Sequence, residues 1–359
     1  MLNITDQNIQ LGSSQLSKKS NNKLFNRVQY MIENMNSNLA YTEHLKIKNL
    51  KDEDGKILEY FKECYRDYRD NWLNLPKKMY QKNGSFLKDR ILDINPMCVD
   101  IELAAICDLG CPHCFREYLM TPDKIMKEDL FYKIIESVKK MNVPSIKLNW
   151  RGEPLLHPKI YDFIKYSKKE GILDVIINTN ATKLDEVNSK KLILSGIDQV
   201  IFSFDGGTKE TYEKMRPGRF EFNSFEKIYK NIKTFCELRN KMGMQFPSTK
   251  IQMVLTADTR NEVNSFHSLF DGIVDDVTVI QYNERGGEVS DQNGEVKNKI
   301  SSYLKNNNLP EDTPFMVTAD QRLFISKGRI PCDQIFQRLM VTFDGRIGMC
   351  CHDWGAQHC

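Results

Sequence analysis

The sequence predicts an α/β protein: a partial, TIM-like (β/α)6 barrel with a helical N-terminal extension and a small C-terminal β-hairpin domain built on cysteines. Three observations carry this. From Cys98 onward, short apolar runs alternate with amphipathic stretches of helical period, the pattern of parallel strands joined by right-handed crossovers. About six such units are present, short of the full eight. Polar motifs fall just after the apolar runs, where parallel sheets carry their chemistry. An open doubly wound sheet is the competing architecture.

The elements follow in order. Residues 1–96 form a polar and helical extension, rich in Asn, Ser and Lys up to about Asn38. Between Lys56 and Met79, Leu58, Phe61, Cys64, Tyr65, Tyr68, Trp72 and Leu75 recur at helical spacing, which predicts a helix capping the main domain. Residues 97–290 make the barrel. Its strands are expected at Cys98–Ala104, Ser145–Trp150, Val175–Thr179, Gln199–Phe204, Lys250–Thr256 and Asp276–Gln281. Helices are expected at Lys127–Met141, from Pro158, at Leu184–Leu194 and at Phe225–Leu238; proline suits a first helical turn. Residues 291–359 hold the C-terminal cysteines, with Phe343-Asp344-Gly345-Arg346-Ile347 reading as a hairpin corner.

The chain has 359 residues, a net charge of +3, 40% hydrophobic and 28% charged residues. That balance argues against nucleic acid or an anionic membrane as the main partner. No secretory signal and no run long enough for a membrane helix is seen, so a cytoplasmic protein is expected. Seven of the ten cysteines fall in two tight groups, which favours metal binding in a reducing compartment over a disulfide framework. Cys64, Cys98 and Cys236 lie in apolar surroundings and read as core residues.

The organising stretch is Ile106-Cys107-Asp108-Leu109-Gly110-Cys111-Pro112-His113-Cys114-Phe115. Thiolates select iron or zinc. The local set stops at three cysteines, and a [4Fe–4S] cluster on three thiolates keeps one iron open for a small molecule. A structural zinc knuckle or buried free thiols are the plainer alternatives; zinc wants a fourth ligand, and His113 lies too close to two cysteines to serve easily.

The spacing C-x3-C-x2-C, with an aromatic residue before the last cysteine, resembles the radical S-adenosylmethionine (SAM) enzymes. The resemblance implies that Cys107, Cys111 and Cys114 hold [4Fe–4S], that SAM chelates the open iron, and that one electron releases a 5′-deoxyadenosyl radical. His113 and Phe115 then lie beside the cofactor. Asn149-Trp150-Arg151-Gly152-Glu153-Pro154 resembles the family's Gly-Gly-Glu, with Arg151 in the first position, so Gly152 and Glu153 are expected at the SAM amino group. Asn180, after the third strand, is expected at the nucleoside. Ser203 and Asp205 are expected on one strand face towards ribose hydroxyls or the SAM carboxylate, and Arg216 at that carboxylate. Tyr212, His157 and His267 read as structural, Gly286-Gly287 as a rim loop, and no general base can be picked without a substrate.

Cys332, twelve residues, Gly345, four residues and Cys350 resemble the start of a twitch or SPASM auxiliary-cluster domain. Cys332 and Cys350 are the expected ligands of a second iron–sulfur cluster, the domain being apparently truncated after Cys359. Cys350 and Cys351 are expected to point oppositely on a strand. The resemblance implies an enzyme that cleaves SAM reductively and takes a hydrogen atom from a small-molecule substrate, a sugar or polyol, or from a peptide. It also implies a low-potential electron donor of the flavodoxin or ferredoxin type. A non-catalytic iron–sulfur redox sensor and a zinc-stabilised interaction protein remain open.

Overall fold

A computed structural model describes residues 9–11, 56–79, 95–117, 121–244, 246–282, 301–308, 315–317, 323–325, 332–348, 350, 351, 353, 355 and 356. Gly286, Gly287, Cys359 and most of the polar N-terminal stretch lie outside them.

In chain order the strands are β1 (Ile9–Leu11), β2 (Cys98–Ile101), β3 (Ser145–Lys147), β4 (Asp174–Thr179), β5 (Gln199–Ser203), β6 (Ser248–Leu255), β7 (Asp276–Gln281), β8 (Phe315–Val317), β9 (Leu323–Ile325), β10 (Arg338–Val341) and β11 (Ile347–Gly348). The helices used below are α1 (Lys56–Met79), α2 (Glu128–Lys140), α3 (Ile160–Lys169), α4 (Glu186–Ile193), α5 (Lys209–Met215), α6 (Phe225–Lys241) and α7 (Val263–Phe270).

Eight strands form one open sheet in the order β11-β10-β2-β3-β4-β5-β6-β7, parallel from β10 to β7. The six expected barrel strands are all there, within a few residues of the expected ends. The C-terminal hairpin joins this sheet: β10 pairs parallel with β2, in the register Arg338↔Cys98 and Val341↔Ile101. β1, β9 and β8 make a separate three-stranded sheet. Helices α5 and α7 had not been expected; at seven and eight residues they are too short for their period to stand out.

Strand alternation sorts the side chains onto two faces. Val99, Ile101, Ile146, Val175, Ile177, Val200, Phe202, Ile251 and Met253 form the core under the helices, with Phe131 of α2 stacked on Phe163 of α3 at 4.0 Å. Side-chain caps start three of the helices: Asp185, Thr208 and Ser224 accept from Asn188, Thr211 and Lys227 N–H respectively.

The concave face is filled in layers. At the strand N-terminal side, Tyr65, Tyr68 and Trp72 of α1 pack on Cys98, Ile176 and Ile201. The Tyr68 hydroxyl donates to Ser145 Oγ at 2.9 Å, and Gln337 Nε2 donates to Trp72 O at 2.8 Å. Helix α1 is thus a cap on the sheet's inner face. Above it, Asp100, Lys147, Lys250 and Gln252 are buried inside the sheet. No helix among the described residues is long and apolar enough to cross a membrane.

Candidate active site

The C-terminal ends of the strands surround an open cavity with an empty volume of ≈ 1270 Å³, counting its mouth. Cys107, Cys111, His113, Cys114 and Phe115 line it, together with Gly152, Glu153, Asn180, Ser203 and Arg216. Folding therefore brings ten of the eleven expected C-terminal-end groups, from five separate stretches of chain, to one place, with Asp205 behind the wall.

The cysteine loop is clamped from several directions. Gly110 N donates to Pro217 O at 2.9 Å, Arg219 N to Asp108 O at 2.8 Å, and Glu153 N to Ile106 O at 2.9 Å. The Asp108 carboxylate accepts from Asn180 Nδ2 and Thr182 Oγ1, both at 2.7 Å. Asn180 lines the cavity, but its amide organises the loop: Nδ2 goes to Asp108 and Oδ1 accepts from Thr182 N at 3.0 Å. Gly152 is required by packing: a Cβ there would lie 2.3 Å from the carbonyl oxygens of Ala104 and Ile106. The close approach is to the cysteine loop's own backbone.

Glu153 is 3% exposed and accepts from Thr179 Oγ1 at 2.7 Å, Asn180 N at 2.8 Å and Leu155 N at 3.1 Å. A carboxylate offers about four lone-pair sites, so one acceptor position is left towards the cavity. Burial, then the Asp108 charge, push its pKa up to about 8 against those three donors. A cation beside it would reverse that balance.

Ser203 ends β5 and lines the cavity. The strand stops there, so the expected same-face alternation does not extend to Asp205. That residue is fully buried, with Oδ2 2.7 Å from Arg216 Nη2 and 3.1 Å from His113 Nε2, while Oδ1 accepts from Val254 N at 2.6 Å. Burial opposes its charge, yet Arg216 and His113 outweigh it and hold the carboxyl below the usual range. Arg216, expected at a cofactor carboxylate, is 7% exposed and ion-paired within the protein.

Arg151, standing where the motif has its first glycine, grips Glu102 through two hydrogen bonds of 2.6 and 2.7 Å. Tyr212 is packing: its ring stacks on Phe204 at 4.0 Å and its hydroxyl accepts from Asn223 at 3.0 Å. His157 is structural: Nε2 donates to Met126 O at 2.9 Å and Nδ1 accepts from Lys159 N at 3.1 Å. Cys98 and Cys236 are buried core thiols, each pushed up to about 12, by burial first.

The donor set suits the expected cluster. Burial, then the Glu153 charge, hold the Cys107 thiol well above its usual range, so a thiolate there needs positive charge opposite it, as iron provides. Among the described residues no three His, Cys, Asp or Glu converge tightly enough for a single metal ion. Cys107, Cys111 and Cys114 line one cavity and supply the three thiolates that a cluster with one open iron would take.

At the C-terminus, Cys350 and Cys351 sit in a turn after β11, not on a strand. The Cys332 thiol is pushed up, by desolvation first, with Cys351 and Cys350 adding repulsion. Cys351 is 6% exposed, packs with Trp150 and lines the central cavity; sequence reasoning had left it without a role. Asp100, Lys147, Asn149, Gln252 and Arg338 were also missed as cavity residues. The available signal was polar alternation in strands otherwise apolar, as in Ser145, Lys147, Asn149.

Residues 101–266 match the radical SAM superfamily. This segment is a radical SAM domain. A tungsten-containing aldehyde ferredoxin oxidoreductase cofactor-modifying protein of Pyrococcus furiosus is 29% identical over 170 residues, 45% of this chain and 45% of that protein. An AdoMet-dependent heme synthase of Methanosarcina barkeri is 32% identical over 129 residues, 35% of this chain and 36% of that one. The chain thus matches less than half the length of either curated relative. The radical SAM domain and its surroundings also superpose on Streptococcus suis SuiB bound to its precursor peptide SuiA, with a TM-score of 0.54 and 15% identity, covering 94% of this chain and 74% of that one. At that identity the likeness is one of fold.

Proposed function

We propose that this chain is a radical SAM enzyme that takes a hydrogen atom from a polar substrate bound over the inner layer of the sheet. The observation that carries it is the meeting of Cys107, Cys111 and Cys114 with Glu153 in one cavity at the strand C-terminal ends. Superfamily membership supports SAM-cleaving chemistry. The three thiolates would hold a [4Fe–4S] cluster. With SAM on its open iron, that cluster supplies one-electron cleavage of a carbon–sulfur bond and a hydrogen-abstracting radical.

The protein's own part is binding, orientation and exclusion of water. Glu153 offers its remaining acceptor position to the SAM ammonium. Ser203 and His113 line the same wall. Asp100, Lys147, Asn149, Gln252 and Arg338 give the cavity floor a polar surface, which supports a hydroxyl- or amide-bearing substrate such as a sugar, a polyol or a peptide. Cys332, Cys350 and Cys351 form the site for a second iron–sulfur cluster beside that floor, and a low-potential flavodoxin or ferredoxin supplies the electron.

The test is anaerobic reconstitution with iron and sulfide, followed by dithionite and SAM. Bound iron and sulfide, with chromatographic release of 5′-deoxyadenosine, are expected, and Cys107→Ala, Cys111→Ala and Cys114→Ala should each abolish that release. A cluster without SAM cleavage would identify a redox sensor instead. Zinc without iron or sulfide would identify a structural metal site.

A further inference from the structure

Asp108 is a carboxylate set between two of the expected ligands, Cys107 and Cys111. Its side chain is 13% exposed and does not line the cavity, so a molecule bound there would not meet it. Its closest partners are neutral: Asn180 Nδ2 and Thr182 Oγ1 each donate to it at 2.7 Å. Lys183 Nζ stands 3.7 Å away, but that lysine is 46% exposed, and solvent weakens such a pair. The Arg219 guanidinium, 3.5 Å from Cys107 O, is itself drawn to Asp123 at 2.8 Å.

The carboxylate also aims a neighbour. Asn180 Nδ2, held by Asp108 Oδ1, lies 3.9 Å from Cys107 Sγ, a long N–H···S contact. Thr182 Oγ1 reaches both Asp108 Oδ2 at 2.7 Å and Asn180 Oδ1 at 2.8 Å, and closes a ring of three side chains. An amide at 108 would fit the same ring. Its oxygen accepts from Asn180, its nitrogen donates to Thr182 Oγ1, and the threonine hydrogen goes to Asn180 Oδ1. The ring therefore does not need the charge. Yet the charge is felt around it. Behind burial, Asp108 is the main influence pushing the Glu153 carboxyl up. Behind burial, Glu153 and Cys111, it adds to what holds the Cys107 thiol above its usual range.

We infer that Asp108 is a positioning residue that also sets a reduction potential: its fixed negative charge, held beside Cys107 by Asn180 and Thr182, makes it harder to add an electron to the group on the cysteine loop. This rests on the reading proposed above, in which Cys107, Cys111 and Cys114 hold a [4Fe–4S] cluster reduced by one electron from a low-potential donor. That electron is gained at the cysteine-held site, and no bond forms or breaks in the step. Net charge and hydrogen bonds to sulfur both tune such a potential. Here they act in opposite directions. The Asn180 N–H favours the reduced form, and the Asp108 charge favours the oxidised one. A lower potential makes the reduced site the stronger reductant, which cleavage of a carbon–sulfur bond demands.

The test is a potentiometric titration of the anaerobically reconstituted holoprotein, with titanium(III) citrate as reductant and the electron paramagnetic resonance signal of the reduced cluster as readout. Asp108→Asn should keep the wild-type iron and sulfide content. It should take up the electron about tenfold more readily, a rise of about 59 mV for a one-electron couple. Lys183→Met removes the exposed cation beside Asp108 and should move the potential the other way, by a smaller factor. An unchanged or lowered potential in Asp108→Asn overturns the inference, and so does loss of its iron, which would mark a structural role. A raised potential in Lys183→Met overturns it as well. Absence of bound iron and sulfide in the wild type would instead strike the enzymatic reading beneath it.

Discussion

Arg151 and Glu102 form a two-point ion pair, 2.6 and 2.7 Å, with Glu102 completely buried and Arg151 7% exposed. Glu102 follows β2 and also accepts from Phe343 N at 3.1 Å in the β10–β11 corner. The Arg151 guanidinium lies 4.9 Å over the Trp150 ring. One carboxylate thus ties three pieces together: the strand before the cysteine loop, the Gly-Glu turn and the C-terminal hairpin. The arginine that replaces a motif glycine is a structural fastener.

Arg151→Ala should therefore cost about 3–5 kcal/mol of stability, the usual penalty for leaving a buried charge unpaired. Chemical denaturation of the apoprotein measures it. The Arg151→Met/Glu102→Met double variant should recover much of the loss, because it removes both charges together. A loss in the double variant as large as the sum of the singles would show that the pair itself carries no coupling.

Glu153→Ala should weaken SAM binding while sparing the iron content, since its carboxylate's hydrogen bonds go to Thr179, Asn180 and Leu155. Equilibrium binding and iron analysis on the reconstituted variant separate the two effects. Loss of iron would assign Glu153 to the loop's architecture.

His157 must stay neutral, because Nδ1 accepts a hydrogen bond from Lys159 N. Burial, its largest influence, lowers its pKa from 6.5. Below that value the unfolded chain takes up a proton that the folded chain refuses, so stability falls as pH drops through about 6.5 and below. His157→Gln should be less stable at neutral pH, and the gap to wild type should narrow in acid. Melting temperatures of both proteins across this range test it; parallel curves would refute the assignment.

Trp72→Ala should cost about 3–5 kcal/mol, as large-to-small changes in packed sites do, because Trp72 is 6% exposed against the inner face of the sheet. Tyr68→Phe should cost only about 1–2 kcal/mol, the hydroxyl's bonds to Ser145 and from Arg69 Nη1. Urea titrations give both values. A Trp72→Ala effect below that of Tyr68→Phe would mean that α1 does not cap the sheet.

Much of this protein was legible in its residue order. The alternation of apolar strands and amphipathic helices is local and periodic, so six barrel strands and the long helices could be placed from it. The cysteine triplet was legible because its chemistry depends on spacing within one loop. Asp108 was not: it lies in plain sight between two cysteines, but its role depends on Asn180 and Thr182, more than seventy residues away.

What the chain's order determined by itself was the class of fold, the cysteine triplet and the placing of polar motifs after strands, because backbone period and short-range spacing are properties of a single segment. The tertiary structure decided the rest. It spent Asp205 and Arg216 on each other, turned Arg151 towards Glu102, joined the C-terminal hairpin to β2 and brought Cys351 to the cavity. Each depends on which buried charge finds which partner across the sheet, and the cost of leaving such a charge unpaired is settled only when distant segments meet.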